Sequence, residues 1–429
     1  MSGRLILGCA STGAKFTPWN HRATGDDVLD RICTGASIKA ATEEIIEEAV
    51  TLYQAGVRYF HYHARNPETR EQTTDNEIYQ AVSSRIQREC PGMLLSFGAS
   101  RNGAEVRERV AQFGEWERVS QCALPLHLGG AHFVTIQAAV ELQVICEIER
   151  KFGPISPDMV SSRAFADIIE QNVPSDNEES ASLQTHSTSN GADYGRTSPR
   201  VQFLVYSEAV KRRRQLGLLH EIEWVQLDRS YAMARYAIEH PQIRLGDSGQ
   251  LNITLLFGFS PRLPFPHTYA EFKAVVDLAK RLEYDLDDPE TRTRRVTISV
   301  GAAVLPQQAE EHFLPLDIDP EGRAVCALRR MAAYAAQPDS GVDILRVGME
   351  DTPYIVNEAG RVVEGENADL VAIARDEIRR HGVDLETNTD VVERRMRIDM
   401  LREQVAGEQR DPSQRFTHLA DARVLVPQP

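Results

Sequence analysis

The stretch that decides the fold is Val57-Arg58-Tyr59-Phe60-His61-Tyr62-His63, an apolar run that closes on two histidines. On an extended strand, alternate side chains point to opposite faces, so His61 and His63 share one face while Phe60 and Tyr62 share the other. Two imidazoles in this arrangement can reach one metal ion. They can equally be polar side chains that form hydrogen bonds at the end of a strand. Both interpretations stay open at this point.

The run is one of eight that alternate with longer helical patterns along the chain. The strand candidates are residues 4–10, 57–63, 92–97, 117–123, 222–228, 251–257, 295–301 and 342–347. The amphipathic patterns are residues 41–55, 76–89, 103–114, 203–217, 267–283, 322–335 and 367–381. Strands separated by helices predict an α/β fold with a parallel sheet, and a count of eight favours closure into a (β/α)8 TIM barrel. A doubly wound open sheet is the alternative, although no G-x-G-x-x-G follows the first strand.

Two regions interrupt this alternation. Residues 154–200, after the predicted fourth strand, are rich in Ser, Asn, Thr, Pro and Gly, which predicts a long flexible insertion. At the mouth of a barrel it could be a lid, an oligomer contact or a plain insertion. Residues 401–429 are polar and predict a C-terminal tail, so residues 1–400 form one catalytic domain in this interpretation.

Composition excludes several classes of function. The chain has 429 residues, 42% of them hydrophobic, and a net charge of −15, so it has no basic excess with which to bind nucleic acid. We find no run of about 18 apolar residues that could span a membrane, and no signal peptide precedes the first strand. The six cysteines show no C-x-x-C pair, which predicts reduced thiols in a cytoplasmic protein.

A second stretch, Arg346-Val347-Gly348-Met349-Glu350-Asp351, ends the predicted eighth strand. Catalytic groups of a barrel gather where strands end, and strands two, one and eight are neighbours around a closed barrel. Two histidines and one carboxylate suit zinc with an open fourth position, so Glu350 is the expected third ligand. A salt-bridged surface residue is its alternative role. Asp228, at the end of the predicted fifth strand, competes with Glu350 as a ligand.

Other polar residues follow the predicted strands. Asp351, held beside Arg346, suits a general base. Lys15 supplies a cation after strand one, and Ser96 begins a loop that could hold a carboxylate. His127 and His132, near strand four, are further candidates or ordinary loop histidines.

Taken together, Thr12-Gly13-Ala14, His61-Tyr62-His63-Ala64-Arg65 and the Arg346–Asp351 stretch resemble the β-keto acid cleavage enzymes, whose founding activity is 3-keto-5-aminohexanoate cleavage. The resemblance extends with gaps from about residue 4 to residue 395. It implies a (β/α)8 barrel, usually a homotetramer, with one divalent metal, typically zinc, per subunit. It further implies that His61, His63 and Glu350 hold the metal.

The resemblance also implies an activity. Asp351, helped by Arg346, would activate a β-keto acid, whose acyl part passes to the CoA of acetyl-CoA and leaves acetoacetate. Ser96 and Ser120, at the predicted ends of strands three and four, would bind substrate.

Three departures from the family pattern bear on the substrate. Lys15 stands where the founding enzyme has a glutamate that recognises an amino group, Ala99 stands where glycine is common, and the chain is longer than typical members. A cation at residue 15 predicts a substrate with an anionic or neutral side chain. The alternatives are a zinc-dependent aldolase or hydrolase that acts without CoA, and a non-catalytic barrel that binds a metabolite.

Overall fold

The computed structural model of the chain describes residues 5–11, 27–33, 41–68, 73, 76–97, 133–137, 219–224, 250–258, 263–283 and 295–396. Within these residues, eight parallel strands form a closed barrel. They are β1 (Ile6–Ala10), β2 (Val57–Tyr62), β3 (Leu94–Phe97), β4 (Phe133–Gln137), β5 (Leu219–Trp224), β6 (Gln250–Phe257), β7 (Arg295–Ala302) and β10 (Ile344–Val347). The predicted α/β fold with a parallel sheet is confirmed, and the open-sheet alternative is wrong.

Closure depends on β1, which pairs with β10 on one side and with β2 on the other. Ile6 lies opposite Ile344, and Ala10 lies opposite His61. The first and last strands of the barrel are therefore neighbours, and the residues that follow them meet at one edge of the barrel mouth.

Helices cover the barrel from outside. Their bounds are α1 (Asp27–Cys33), α2 (Thr42–Gln54), α3 (Asn76–Glu89), α4 (Tyr269–Lys280), α5 (Ala327–Ala335), α6 (Asn367–Arg380) and α7 (Thr389–Arg395). α4 begins with a capping box, because Thr268 accepts a hydrogen bond from Glu271 N and the Glu271 side chain accepts one from Thr268 N. Two short antiparallel hairpins, β8–β9 (Leu314–Pro315 with Ala324–Val325) and β11–β12 (Ile355–Val356 with Val362–Val363), lie in the connections on either side of β10.

A buried ion-pair network joins α6 to α5. Glu377 has no exposed surface and contacts Arg323, Arg329 and His381. Burial alone would raise the pKa of Glu377, but hydrogen bonds from His381 and Arg323 outweigh it and lower the pKa to about 2. This carboxylate stays ionised and holds the outer helical layer together.

The two ends of the barrel differ in polarity. At the amino-terminal end, an apolar cluster lies inside the barrel, and Val392 of α7 and Met396, the residue after that helix, belong to it. The strand members of this cluster are Ile6, Tyr59, Leu94 and Ile344. The buried polar side chains of the candidate site, such as His61, Ser96 and Glu350, lie nearer the carboxyl-terminal end. The apolar end carries stability and leaves the other end for chemistry.

Two predicted strands need correction. The sequence pattern assigned the fourth strand to residues 117–123, but β4 at Phe133–Gln137 pairs with β3 and β5 and so takes that place. The fifth strand, predicted at 222–228, runs from Leu219 to Trp224. Residues 117–123, the 154–200 insertion and the 401–429 tail lie outside the described residues.

Two other expectations concern the whole chain. In the part of the chain that the structure describes, no helix has the length and apolar content needed to cross a membrane. Cys9, Cys90 and Cys326 are buried free thiols, as the sequence predicts.

Candidate metal centre

The barrel brings both halves of the predicted constellation to one place. His61 is the last but one residue of β2, His63 follows that strand, and Glu350 lies in the turn after β10. All three are buried, with 1%, 2% and 8% of their surface exposed. Only β1 lies between β2 and β10 in the barrel. His63 and Glu350 can therefore share a site although they are 287 positions apart in sequence.

The distances fit a shared cation. Glu350 presents Oε2 to His61 Nε2 at 3.1 Å and Oε1 to His63 Nε2 at 3.4 Å. One ligand atom from each residue can be chosen so that all three lie within 4.8 Å of one another. A tetrahedral zinc with bonds of about 2.1 Å holds its ligand atoms about 3.4 Å apart. Nitrogen and oxygen donors at these separations therefore suit a divalent metal.

Glu350 itself supports this interpretation. Its Oε2 atom is buried, lies 3.1 Å from His61 Nε2 and 3.3 Å from Arg346 Nη2, and yet makes no well-aligned hydrogen bond. Burial alone would raise the pKa of Glu350, but the charges of His61, His63 and Arg346 lower it well below its usual value. A buried, ionised carboxylate that faces two imidazoles is a ligand in the protonation state that a metal requires.

Ser96 on β3 orients one of the imidazoles. Its Oγ lies 2.9 Å from His61 Nδ1, and Ser96 is fully buried. A proton on Nδ1 that is donated to this hydroxyl leaves the Nε2 lone pair facing Glu350, which is the tautomer a metal ligand needs. The sequence analysis assigned Ser96 to substrate binding, and the structure shows this contact with His61.

The turn that carries Glu350 requires glycine at residue 348. Gly348 has φ +137°, and a Cβ added there would lie 2.2 Å from the carbonyl oxygen of Ala10. The close approach lets Glu350 N donate to Ala10 O at 3.2 Å. Met349 N donates to Asn367 Oδ1 at 2.8 Å. The turn is thus held against β1 on one side and against the start of α6 on the other.

Arg346 and Asp351 form a two-point ion pair beside the three candidate ligands. Arg346 Nε donates to Asp351 Oδ2 at 2.8 Å, and Arg346 Nη2 donates to Asp351 Oδ1 at 3.2 Å. Both residues are buried. Thr352 anchors the next position, because its Oγ1 donates to Ala302 O at 2.6 Å. The Asp351 carboxylate is therefore fixed in orientation next to the candidate metal ligands.

The remaining predicted site residues lie outside the described residues. They are Lys15, Ser120, Asp228, His127 and His132. Ser120 was assigned to the end of the fourth strand, and because that strand begins at Phe133 the assignment no longer follows from strand order. Asn367 was not singled out at all, since an asparagine at the start of a helical pattern ordinarily indicates a cap.

Comparison with known proteins bears on this arrangement. Residues 38–181 match the model of the beta-keto acid cleavage enzyme family, which confirms the resemblance over that region. A 3,5-dioxohexanoate:acetyl-CoA acetone transferase from Paraburkholderia graminis is 26% identical over 169 residues. That match covers 38% of this chain and 48% of the relative, so it spans about half of the relative's length.

Solved structures are similar only in outline. ObcA in a ternary complex with a C4-CoA adduct and oxalate has a TM-score of 0.44 and 14% identity over 83% of this chain and 66% of that one. ObcA in a binary complex with oxaloacetate has the same TM-score and identity over 82% of this chain and 66% of that one.

Proposed function

From the β-keto acid cleavage enzyme region at residues 38–181, we propose that this chain is a zinc-dependent enzyme that cleaves a β-keto acid with acetyl-CoA. The products are acetoacetate and the acyl-CoA of the remaining part of the substrate. The observation that carries the proposal is one buried cluster at the strand ends, in which His61, His63 and Glu350 converge beside the Arg346–Asp351 pair.

The proposed metal would lie between three side chains. His61 Nε2, His63 Nε2 and a Glu350 oxygen would hold one zinc ion per subunit. When bound, zinc supplies Lewis acidity toward the keto and carboxylate oxygens of the substrate. Ser96 Oγ would accept the Nδ1 proton of His61, which leaves Nε2 available to the metal.

Asp351 acts as the general base in this proposal. Its oxygens take one proton from the carbon between the keto and carboxylate groups, which is the acidic position of a β-keto acid. Arg346 contacts both oxygens, so the carboxylate cannot rotate away from the substrate. A single positioned base contributes roughly 10²–10⁴ in rate.

The bonds made and broken balance without another reactant. The carbanion that remains after proton loss attacks the acetyl carbonyl of acetyl-CoA and releases the CoA thiolate. The thiolate then attacks the original keto carbon, and the bond from that carbon to the acetylated CH–COO⁻ carbon breaks. The proton held by Asp351 returns to that carbon, so the fragment leaves as acetoacetate while the acyl part of the substrate leaves on CoA.

Substrate choice is proposed from a residue outside the described part of the chain. Lys15 would repel an ammonium group and favour an anionic or neutral side chain. The relative named above acts, by its name, on 3,5-dioxohexanoate, a β-keto acid with a neutral side chain.

We extend the proposal to the whole chain. Residues 1–400 would form a single (β/α)8 catalytic domain, residues 154–200 an insertion, and residues 401–429 a tail. The enzyme would be a cytoplasmic homotetramer, and light scattering coupled to size-exclusion chromatography tests the subunit count.

The deciding experiment combines metal analysis with a substrate panel. Purified protein should carry about one zinc per chain, and acetoacetate should form from a β-keto acid only when acetyl-CoA is present. The panel should include 3,5-dioxohexanoate, a 3-oxo dicarboxylate and 3-keto-5-aminohexanoate. Asp351→Asn serves as the inactive variant, and Asp376→Asn, which changes an exposed carboxylate on α6, is its matched control.

Other outcomes have definite meanings. Turnover of the same acids without acetyl-CoA would replace the proposal with a zinc aldolase or hydrolase. Zinc binding with no turnover of any panel member would leave a metabolite-binding barrel.

A further inference from the structure

Asn367, the first residue of α6, is a buried polar side chain with partners on three other parts of the barrel. Its Oδ1 accepts hydrogen bonds from Met349 N at 2.8 Å and from Cys9 Sγ at 3.5 Å. Its Nδ2 donates to Glu48 Oε1 at 3.0 Å and to Ser11 O at 3.4 Å. Only 2% of its surface is exposed. One amide group therefore connects α6, β1, α2 and the turn after β10.

These partners determine which way the amide faces. The Glu48 carboxylate and the Ser11 carbonyl can only accept hydrogen bonds, so the NH₂ group must face them. The amide oxygen is then left for Met349 N–H. Glu48 is held in turn, because Ser11 Oγ donates a hydrogen bond to its Oε2. The position of Glu48 on α2 thus sets the direction in which Asn367 presents its acceptor.

The bond to Met349 acts on the two residues that follow it. Met349 directly precedes Glu350 and Asp351, and its bond to Asn367 stands next to the bond from Glu350 N to Ala10 O, which ties the turn to β1. We propose that Asn367 is a positioning residue that places the metal ligand Glu350 and the base Asp351, and that Glu48 orients it for this task. The inference rests on the proposed function only for the roles of those two groups. Metal-binding and catalytic groups must lie within about 0.5 Å of their productive positions.

The first test adds a negative charge at residue 367. It then removes the charge of Glu48 in a double variant to restore the contact. Asn367→Asp replaces the donor that faces Glu48 with a second carboxylate at hydrogen-bond distance, and repulsion should turn the side chain away from Met349. We expect zinc affinity, measured by chelator competition, to fall about 10- to 100-fold. In Asn367→Asp with Glu48→Gln, the glutamine NH₂ can donate to the new carboxylate and its oxygen can still accept from Ser11. Affinity should recover by about threefold or more, and not completely, because the new carboxylate cannot donate to Ser11 O. A double variant as weak as the single one would overturn the orienting role of Glu48.

The second test needs neither metal nor substrate. Asn367→Ala in metal-stripped protein should increase hydrogen–deuterium exchange at the Met349 amide by about tenfold or more, because that amide loses its acceptor. Asn388→Ala is the matched control. Asn388 caps α7, because its Oδ1 accepts hydrogen bonds from Asp390 N and Val391 N at the amino-terminal end of the barrel. Loss of this cap should lower Tm without changing exchange at Met349.

The two proposals can fail separately. If Asn367→Ala lowers Tm like the control but leaves both Met349 exchange and zinc affinity unchanged, Asn367 is structural only and this inference is overturned. If exchange and affinity change as expected while no β-keto acid is turned over, the positioning role stands and the proposed reaction fails.

Discussion

Replacement of Gly348 by alanine tests whether the turn after β10 is what assembles the site. The added methyl would lie 2.2 Å from Ala10 O and 2.8 Å from both Ala10 C and Ala10 N. A carbon–oxygen contact requires about 3.2 Å, so the turn must move away from β1 by about 1 Å. The backbone at φ +137° adds strain for any residue that has a side chain.

Such a shift carries Glu350 and Asp351 with it and weakens the hydrogen bond from Glu350 N to Ala10 O. A displacement of about 1 Å at a reacting group can cost about 100-fold in rate, equivalent to about 2.7 kcal/mol of transition-state stabilisation. We therefore expect Gly348→Ala to lower kcat/KM for acetoacetate formation by about 100-fold. Zinc affinity should fall as well, because Glu350 moves relative to the imidazoles.

The control is Gly322→Ala. Gly322 also has a positive φ, +62°, but a Cβ there would meet nothing within 4 Å. It shares the backbone strain without the collision, so it should lose some stability and keep kcat/KM and zinc affinity. The reasoning is refuted if Gly348→Ala keeps activity and zinc affinity within about threefold of wild type.

Three further predictions concern single side chains. Asp351→Asn should lose roughly 10²–10⁴ in kcat and keep its zinc, and full activity in this variant would remove Asp351 as the base. Ser96→Ala should weaken zinc binding about 10- to 100-fold, whereas Ser96→Thr, which keeps the hydroxyl, should bind zinc like wild type. Equal zinc affinities of these two variants would contradict the role of the hydroxyl in setting the His61 tautomer. Glu377→Gln should lower the free energy of unfolding at pH 7 by about 1–3 kcal/mol, measured by urea denaturation, with kcat/KM unchanged. Because the pKa of Glu377 is lowered to about 2 in the fold, its contribution is complete above about pH 4.5 and is lost as the pH falls toward 2. The variant should show a flatter stability curve over that interval, and parallel curves would contradict this.

The position of a barrel strand could be predicted from the sequence where that strand is a continuous apolar run. The ends of β2, β6, β7 and β10 fall within two residues of their predicted positions, because buried parallel strands are apolar on both faces. The fourth strand was placed wrongly at residues 117–123, Glu-Arg-Val-Ser-Gln-Cys-Ala, which hold few strand-forming residues. The stretch Phe133-Val134-Thr135-Ile136 carries the stronger strand pattern, and its pairing with β3 and β5 makes it β4.

The convergence of His61, His63 and Glu350 could be predicted for a related reason. Closure of an eight-stranded barrel makes strands one, two and eight neighbours, so the ends of β2 and β10 had to meet, and the sequence supplied imidazoles at one and a carboxylate at the other. No local sequence pattern indicated the contacts that hold these side chains in place. The bond between Ser96 and His61, and the four contacts of Asn367, join residues that only the complete fold brings together.

Closure of the barrel through β1 also sets an order of events during synthesis. His63 leaves the ribosome about 290 residues before Glu350, which at 5–20 residues per second is a delay of roughly 15–60 s. During that interval the two imidazoles lack Glu350, the carboxylate that completes the proposed site. Under the proposed function, tight uptake of the ion would follow the arrival of the last barrel strand, and metal occupancy would report that the ring has closed.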